Sequence, residues 1–218
     1  MIVVNRFRWM KKPSLIVFAL AISLQAWCGG ANAADDRRAV KSLLEIRREN
    51  VVIQDWDLSC GAAALAILLN YQHGDPVSEK EIATGLINRD VYLKRPDLVR
   101  VRHGFSLLDL KKYVDGRGYE GIGYGNLSLE GLVERAPLIV PVNFNGYNHF
   151  VVFRGIRGNR VLLADPAWGN RTMLVKKFEK AWIQYAKLGK VGFVVERRDN
   201  RNFPNKLAPR MRDFVFLR

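Results

Sequence analysis

The chain has 218 residues, 35 lysines and arginines against 21 acidic residues, and two cysteines. This length suits one domain with its own core, and so few cysteines exclude a disulfide-stapled scaffold. A formal charge of +14 ordinarily points to nucleic acid, but the first predicted element argues against that partner.

Residues 1–33 have the layout of an export signal. Arg6, Arg8, Lys11 and Lys12 are basic, residues 15–24 are apolar, and Ala31-Asn32-Ala33 is a small-x-small cleavage site. The apolar run is shorter than the ~20 residues of a membrane span, so cleavage is expected, with a retained anchor as the alternative. Lipidation at Cys28 is disfavoured by the bulky Trp27 before it. Removing the leader leaves 185 residues (218 minus 33), a charge of about +10 (14 minus 4) and a single cysteine, Cys60. The expected location is the periplasm, where nucleic acid is not an expected partner. An acidic peptide, an acidic partner surface or peripheral contact of basic residues with an anionic membrane suits the charge; a solvated basic face without a ligand is the alternative. A lone thiol in an oxidising compartment is a liability unless it is buried or used.

Residues 34–50 follow with helical periodicity (Val40, Leu43, Leu44, Ile46) and predict an amphipathic helix. Val51, Val52 and Ile53 form an extended entry to residues 60–71, a helix apolar almost all round and therefore expected to be central and buried. Ser59 is its expected N-cap. Ser78 and Glu81 read as a capping box opening a helix to about Ile87. Residues 88–103 are polar, basic and interrupted by Pro96, and predict an exposed loop. A third helix over 107–114 ends at glycines; a short strand over 119–124 and a helix over 129–135 follow, the latter stopped before Pro137.

The last third consists of short strands at 138–144, 150–154, 160–164, 173–175 and 191–196, separated by Gly/Asn turns. Helices followed by adjacent antiparallel strands predict an α+β domain, its N-terminal helices packed on a C-terminal sheet. The core domain is expected over 51–196, with a basic tail over 197–218 whose structure is left open.

Four residues carry the chemistry. Cys60 sits at the start of an apolar helix, where free N–H groups and the peptide dipoles favour an anion, and the thiolate is the attacking form of cysteine. His149 lies at the start of a strand and Asp165 at the end of the next. A turn over 155–159 folds those strands back on each other, bringing the carboxylate near the imidazole, where it can fix the tautomer and favour the protonated ring. Gln54, six residues before the thiol, can offer its amide to an oxyanion, and Gly61 lets a substrate backbone approach. Trp56 and Trp168 flank these motifs and suit either a cleft wall or the core. Among Cys60, His73, His103 and His149 there is no short-spaced ligand pair, so no metal or cofactor is expected.

With Gln54, Cys60-Gly61, His149 before apolar strand residues, and Asp165-Pro166, the segment from about Val52 to Val195 resembles the peptidase C39 family, which is papain-like. That resemblance implies a cysteine endopeptidase with Cys60 as nucleophile, His149 as general base and acid, Asp165 as orienter and Gln54 as oxyanion donor. Many members are cytosolic domains of bacteriocin-exporting transporters. The export signal sets this chain apart and makes it similar to the stand-alone C39-like proteins of functional-amyloid secretion. The implied partners are a protein or peptide substrate, amyloid-system subunits or an outer-membrane secretion component. A peptide-binding adaptor or chaperone using the same cleft without cleavage is the alternative.

Overall fold

The computed structural model describes residues 41–101, 104–199 and 201–217. The leader, the first part of the 34–50 helix and His103 lie outside these residues. Helices come first: α1 (Leu43–Arg48), α2 (Cys60–Tyr71), α3 (Glu79–Ile87), α4 (Asp90–Lys94), α5 (Leu98–Val101) and α6 (Leu107–Gly116). Then come β1 (Tyr119–Tyr124), α7 (Leu129–Glu134), β2 (Leu138–Phe144), β3 (Tyr147–Arg157), β4 (Arg160–Asp165) and β5 (Gly169–Leu174). The chain continues through α8 (Val175–Ala181), the two-residue strands β6 (Gln184–Tyr185) and β7 (Gly189–Lys190), β8 (Gly192–Arg197) and α9 (Met211–Phe216). Six strands make one antiparallel sheet in the order β1-β8-β2-β3-β4-β5, and β6 pairs with β7 separately. Among the described residues no helix is long and apolar enough to cross a membrane.

The α+β architecture is the expected one. Strand alternation sorts side chains between two cores. Val152 and Ala164 face a cluster built on α2, α3 and α6, whereas Val151, Phe153, Val161 and Leu163 face one closed by Leu132, Phe178 and Trp182. Helix α2 is buried on every side through Leu69, as an all-apolar helix must be. Gly61 lets it lie close to the sheet, since a Cβ there would sit 3.3 Å from the Phe150 ring.

Several local expectations are corrected. Residues 88–103 were expected to be loop, but α4 and α5 form there because Tyr92 is buried and its hydroxyl bonds Asp109 of α6. Among the described residues of the predicted apolar stripe, Leu43 and Leu44 are exposed and Ile46 packs on the interior. Ser59 does not cap α2. Ser78 accepts from the Glu81 N–H, but Glu81 turns its carboxylate to Arg117, so the box is half made. The turn expected over 155–159 is only Gly158-Asn159, because β3 runs on through Arg157. Gly155, expected to open that turn, sits inside the strand at a bulge, with φ +151°, where a Cβ would meet Pro209 at 2.6 Å. α8 was not anticipated.

The C-terminal segment packs on the domain. Arg154, fully buried at the bulge, donates to the Leu207 carbonyl (2.8 Å) and to Asn170 (2.6 Å) and faces Asp213 of α9 at 3.5 Å. Asn170 in turn donates to the carbonyls of Arg47 and Glu49. One buried guanidinium therefore ties both ends of the described chain to β3 and β5.

Candidate active site

Cys60 is the first residue of α2, and no side chain caps that helix. The loop before it is fastened from α3. Glu79, itself buried, accepts the Asp55 N–H at 2.9 Å and contacts the Ser59 hydroxyl, which also lies 2.6 Å from the Trp56 carbonyl. Ser59 thus shapes the approach to the thiol and leaves the first turn of α2 without a side-chain cap. Gly104 brings the start of α6 against the same loop: at φ +118° its missing Cβ would lie 2.8 Å from the Leu58 carbonyl.

On the sheet, His149 Nε2 lies 2.7 Å from Asp165 Oδ1, with Asp165 wholly buried. A carboxylate only accepts, so Nε2 is the protonated nitrogen. Nδ1 is buried without a hydrogen-bond partner and is the nitrogen left to serve Cys60. Burial works against charge on this ring, but the bond to Asp165 and the nearby Cys60 outweigh it and raise its pKa from 6.5 to about 9. The Cys60 side chain is close enough to help raise the ring's pKa although Nδ1 meets no strict hydrogen-bond geometry. Such pairs commonly tighten only when substrate is bound.

Asp165 is held on both oxygens. Oδ1 also accepts from the Ala167 N–H at 2.9 Å, and Arg171 lies 3.4 Å from Oδ2 with its guanidinium over the Phe144 ring. Arg171 was missed in the sequence. Folding the β4–β5 hairpin as the β3–β4 hairpin was folded would have found it, since Ala164 pairs with Asn170.

Gln54 joins the two halves through its backbone, whose N–H donates to the Pro166 carbonyl at 2.9 Å. Its side-chain amide donates to the Trp56 carbonyl at 3.2 Å, while Oε1 is buried and unpaired. One amide hydrogen remains for a substrate oxygen. Tyr147, also missed, lies over His149 with ring centroids 6.0 Å apart. Its hydroxyl pKa is raised by partial burial and then by the neighbouring Cys60 and Asp57.

Cys60 and His149 open on one groove of about 610 Å³, walled by Phe105, Leu107, Pro141, Phe150, Ile183 and Val191. Trp56 and Trp168 are both exposed and neither lines this groove, so they are neither core residues nor walls of the cleft at the thiol. His73 is remote from the site, bonded to the Val195 carbonyl and packed on Tyr119.

Residues 48–189 match the model of the peptidase C39 family. The chain belongs to that family. It is 36% identical over 154 residues to the probable functional amyloid protease FapD of Pseudomonas aeruginosa, a match spanning 70% of this chain and 66% of that protein. A double glycine motif protease from an AMS/PCAT transporter, solved with the leader peptide, is 26% identical with a TM-score of 0.53, covering 67% of this chain and 90% of that one. The peptidase domain of Streptococcus ComA shares the fold at 17% identity, with a TM-score of 0.54 over 69% of this chain and 100% of that domain. The fold is that of C39 peptidase domains, and the chain spans slightly under two thirds of the length of the curated FapD relatives it matches.

Proposed function

We propose that this protein is a periplasmic cysteine endopeptidase acting on a polypeptide linked to export of functional amyloid fibres, with Cys60, His149, Asp165 and Gln54 as its machinery. The observation that carries the reading is His149 itself, bonded to a buried carboxylate through one nitrogen and offering the other beside the only free cysteine among the described residues. The amyloid link rests on the likeness to FapD, and the location rests on the layout of residues 1–33.

In this reading Cys60 passes its proton to Nδ1, and the thiolate adds to the scissile carbonyl carbon. Negative charge collects on the carbonyl oxygen, where the remaining Gln54 amide hydrogen and the uncapped first turn of α2 can receive it. Collapse breaks the C–N bond as His149 protonates the leaving amine. Water, deprotonated by the same nitrogen, then hydrolyses the thioester and restores the thiol. Asp165 holds the ring in place throughout.

The test is alkylation of Cys60 by iodoacetamide across pH, in the wild type and in His149→Ala, alongside cleavage of a peptide library by wild type and Cys60→Ala. Labelling near neutral pH that depends on His149, with cleavage that depends on Cys60, supports the reading. Labelling only near the ordinary thiol pKa of about 8.5, with no cleavage lost in Cys60→Ala, defeats it.

A further inference from the structure

A second concavity, of about 660 Å³, lies beside the β2–β3 turn and is lined by Phe144, Trp168, Arg171, Lys177 and Lys180 among others, with no carboxylate in its wall. Some surface cations meet counter-charges: Arg117 pairs with Asp75, Arg197 with Asp199 and Arg212 with Glu49. Lys177 and Lys180 are exposed and, among the described residues, make no ion pair. Arg171 has one carboxylate neighbour, the buried Asp165 behind it. Three cations thus converge around an aromatic floor, and the Trp168 ring stands 68% exposed above it.

The groove adjoins the His149–Asp165 pair. Arg171 touches the carboxylate that holds His149. The β2–β3 hairpin also links them directly, since Asn145 lines the groove and His149 follows four residues later. The cationic, aromatic surface is therefore built on the same hairpin that carries His149.

We infer that this groove is an exosite for an acidic segment of the polypeptide substrate. Lys177, Lys180 and Arg171 receive its carboxylates, and Trp168 takes an adjacent apolar side chain. That the bound polypeptide is a substrate rests on the peptidase reading; that the groove binds acidic polypeptide does not.

The test uses the full chain carrying Cys60→Ala, so that binding is read without cleavage. The probe is a fluorescein-labelled peptide of alternating glutamate and serine with one central leucine, compared by fluorescence anisotropy with its glutamine counterpart. The glutamate peptide should bind on the order of tenfold tighter at low salt, and the preference should fade as salt screens it. Adding Lys177→Glu and Lys180→Glu should abolish it, Lys177→Gln with Lys180→Gln should weaken it, and Trp168→Ala should weaken binding of the leucine-containing probe. A melting curve matching the parent shows that the charge variants remain folded. Equal binding of the two peptides, or a preference surviving the charge reversal, overturns the inference. So does flotation with phosphatidylglycerol vesicles that depends on both lysines while the glutamate peptide goes unbound. If the wild type cleaves no library peptide but the glutamate preference is present, the peptidase reading fails and the binding site stands. If Cys60-dependent cleavage occurs without that preference, only the exosite fails.

Discussion

Replacing Asp165 by asparagine tests the electrostatics of the site with little change in shape. The wild-type His149 pKa rises from 6.5 to about 9 although burial pulls it down, which corresponds to about 3 kcal/mol in favour of the charged ring. In Asp165→Asn the 2.7 Å contact can persist as a neutral hydrogen bond, but the negative charge is gone and burial is opposed chiefly by Cys60. The His149 pKa should drop by more than one unit, so that at pH 8 the ring passes from mostly protonated to mostly neutral. Histidine side-chain NMR over a pH series, with the His149 signal identified by its loss in His149→Gln, reads this directly. Iodoacetamide reactivity at neutral pH should fall in parallel, since a thiolate beside a neutral ring loses its counter-charge. A His149 pKa that stays near 9 in Asp165→Asn would refute the assignment of the shift to this carboxylate.

The same coupling gives a stability signature. A pKa raised by folding stabilises the native state fully below the unfolded value of 6.5 and loses that contribution as pH climbs through about 9. Urea denaturation should therefore show the gap between wild type and Asp165→Asn widest near pH 6 and narrowing by up to about 3 kcal/mol toward pH 9; a constant gap contradicts it. Gln54→Ala should lower kcat by ~10²-fold with little change in KM, the usual result of losing one oxyanion donor, and an unchanged kcat removes Gln54 from the mechanism. Arg154→Ala should cost about 2–4 kcal/mol in urea melts, because the Leu207 carbonyl and the Asn170 side chain lose their buried donor while Asp213 keeps Arg210. A loss below about 0.5 kcal/mol would show that this guanidinium does not hold the C-terminal segment.

How far the sequence could be read depended on the range of the forces involved. Local patterns sufficed for α2, where ten of twelve residues are buried, and for β1 and β2, whose bounds follow from alternation and from Pro137. They failed where a distant partner decides the conformation. Residues 89–101 are too polar to predict helix, yet Asp109 bonds both Arg89 and Tyr92 and draws the segment into the fold. Ser59 is a good N-cap by type, but Glu79, twenty residues later, engages its hydroxyl. The His149–Asp165 pair was legible because one hairpin joins its members. Arg171 was not noticed, although the next hairpin brings it to Asp165 by the same logic.

These hairpins also explain why the site tolerates so much buried charge. Asp165 alone in the interior would carry a desolvation cost that one neutral hydrogen bond does not repay. The His149 ring answers one oxygen, and the Ala167 N–H and Arg171 supply further contacts from the turn and strand that follow. Arg171 is only partly buried, with 35% of its side chain exposed, so its charge is shared between the carboxylate behind it and the groove in front. An acidic ligand seated in that groove would compete for the same guanidinium and weaken its pull on Asp165. The carboxylate would then be freer to favour the His149 imidazolium. Occupancy of the proposed exosite and the protonation state of the His149 ring are therefore coupled through one arginine, and Arg171→Gln should uncouple them, leaving the His149 titration insensitive to the glutamate peptide.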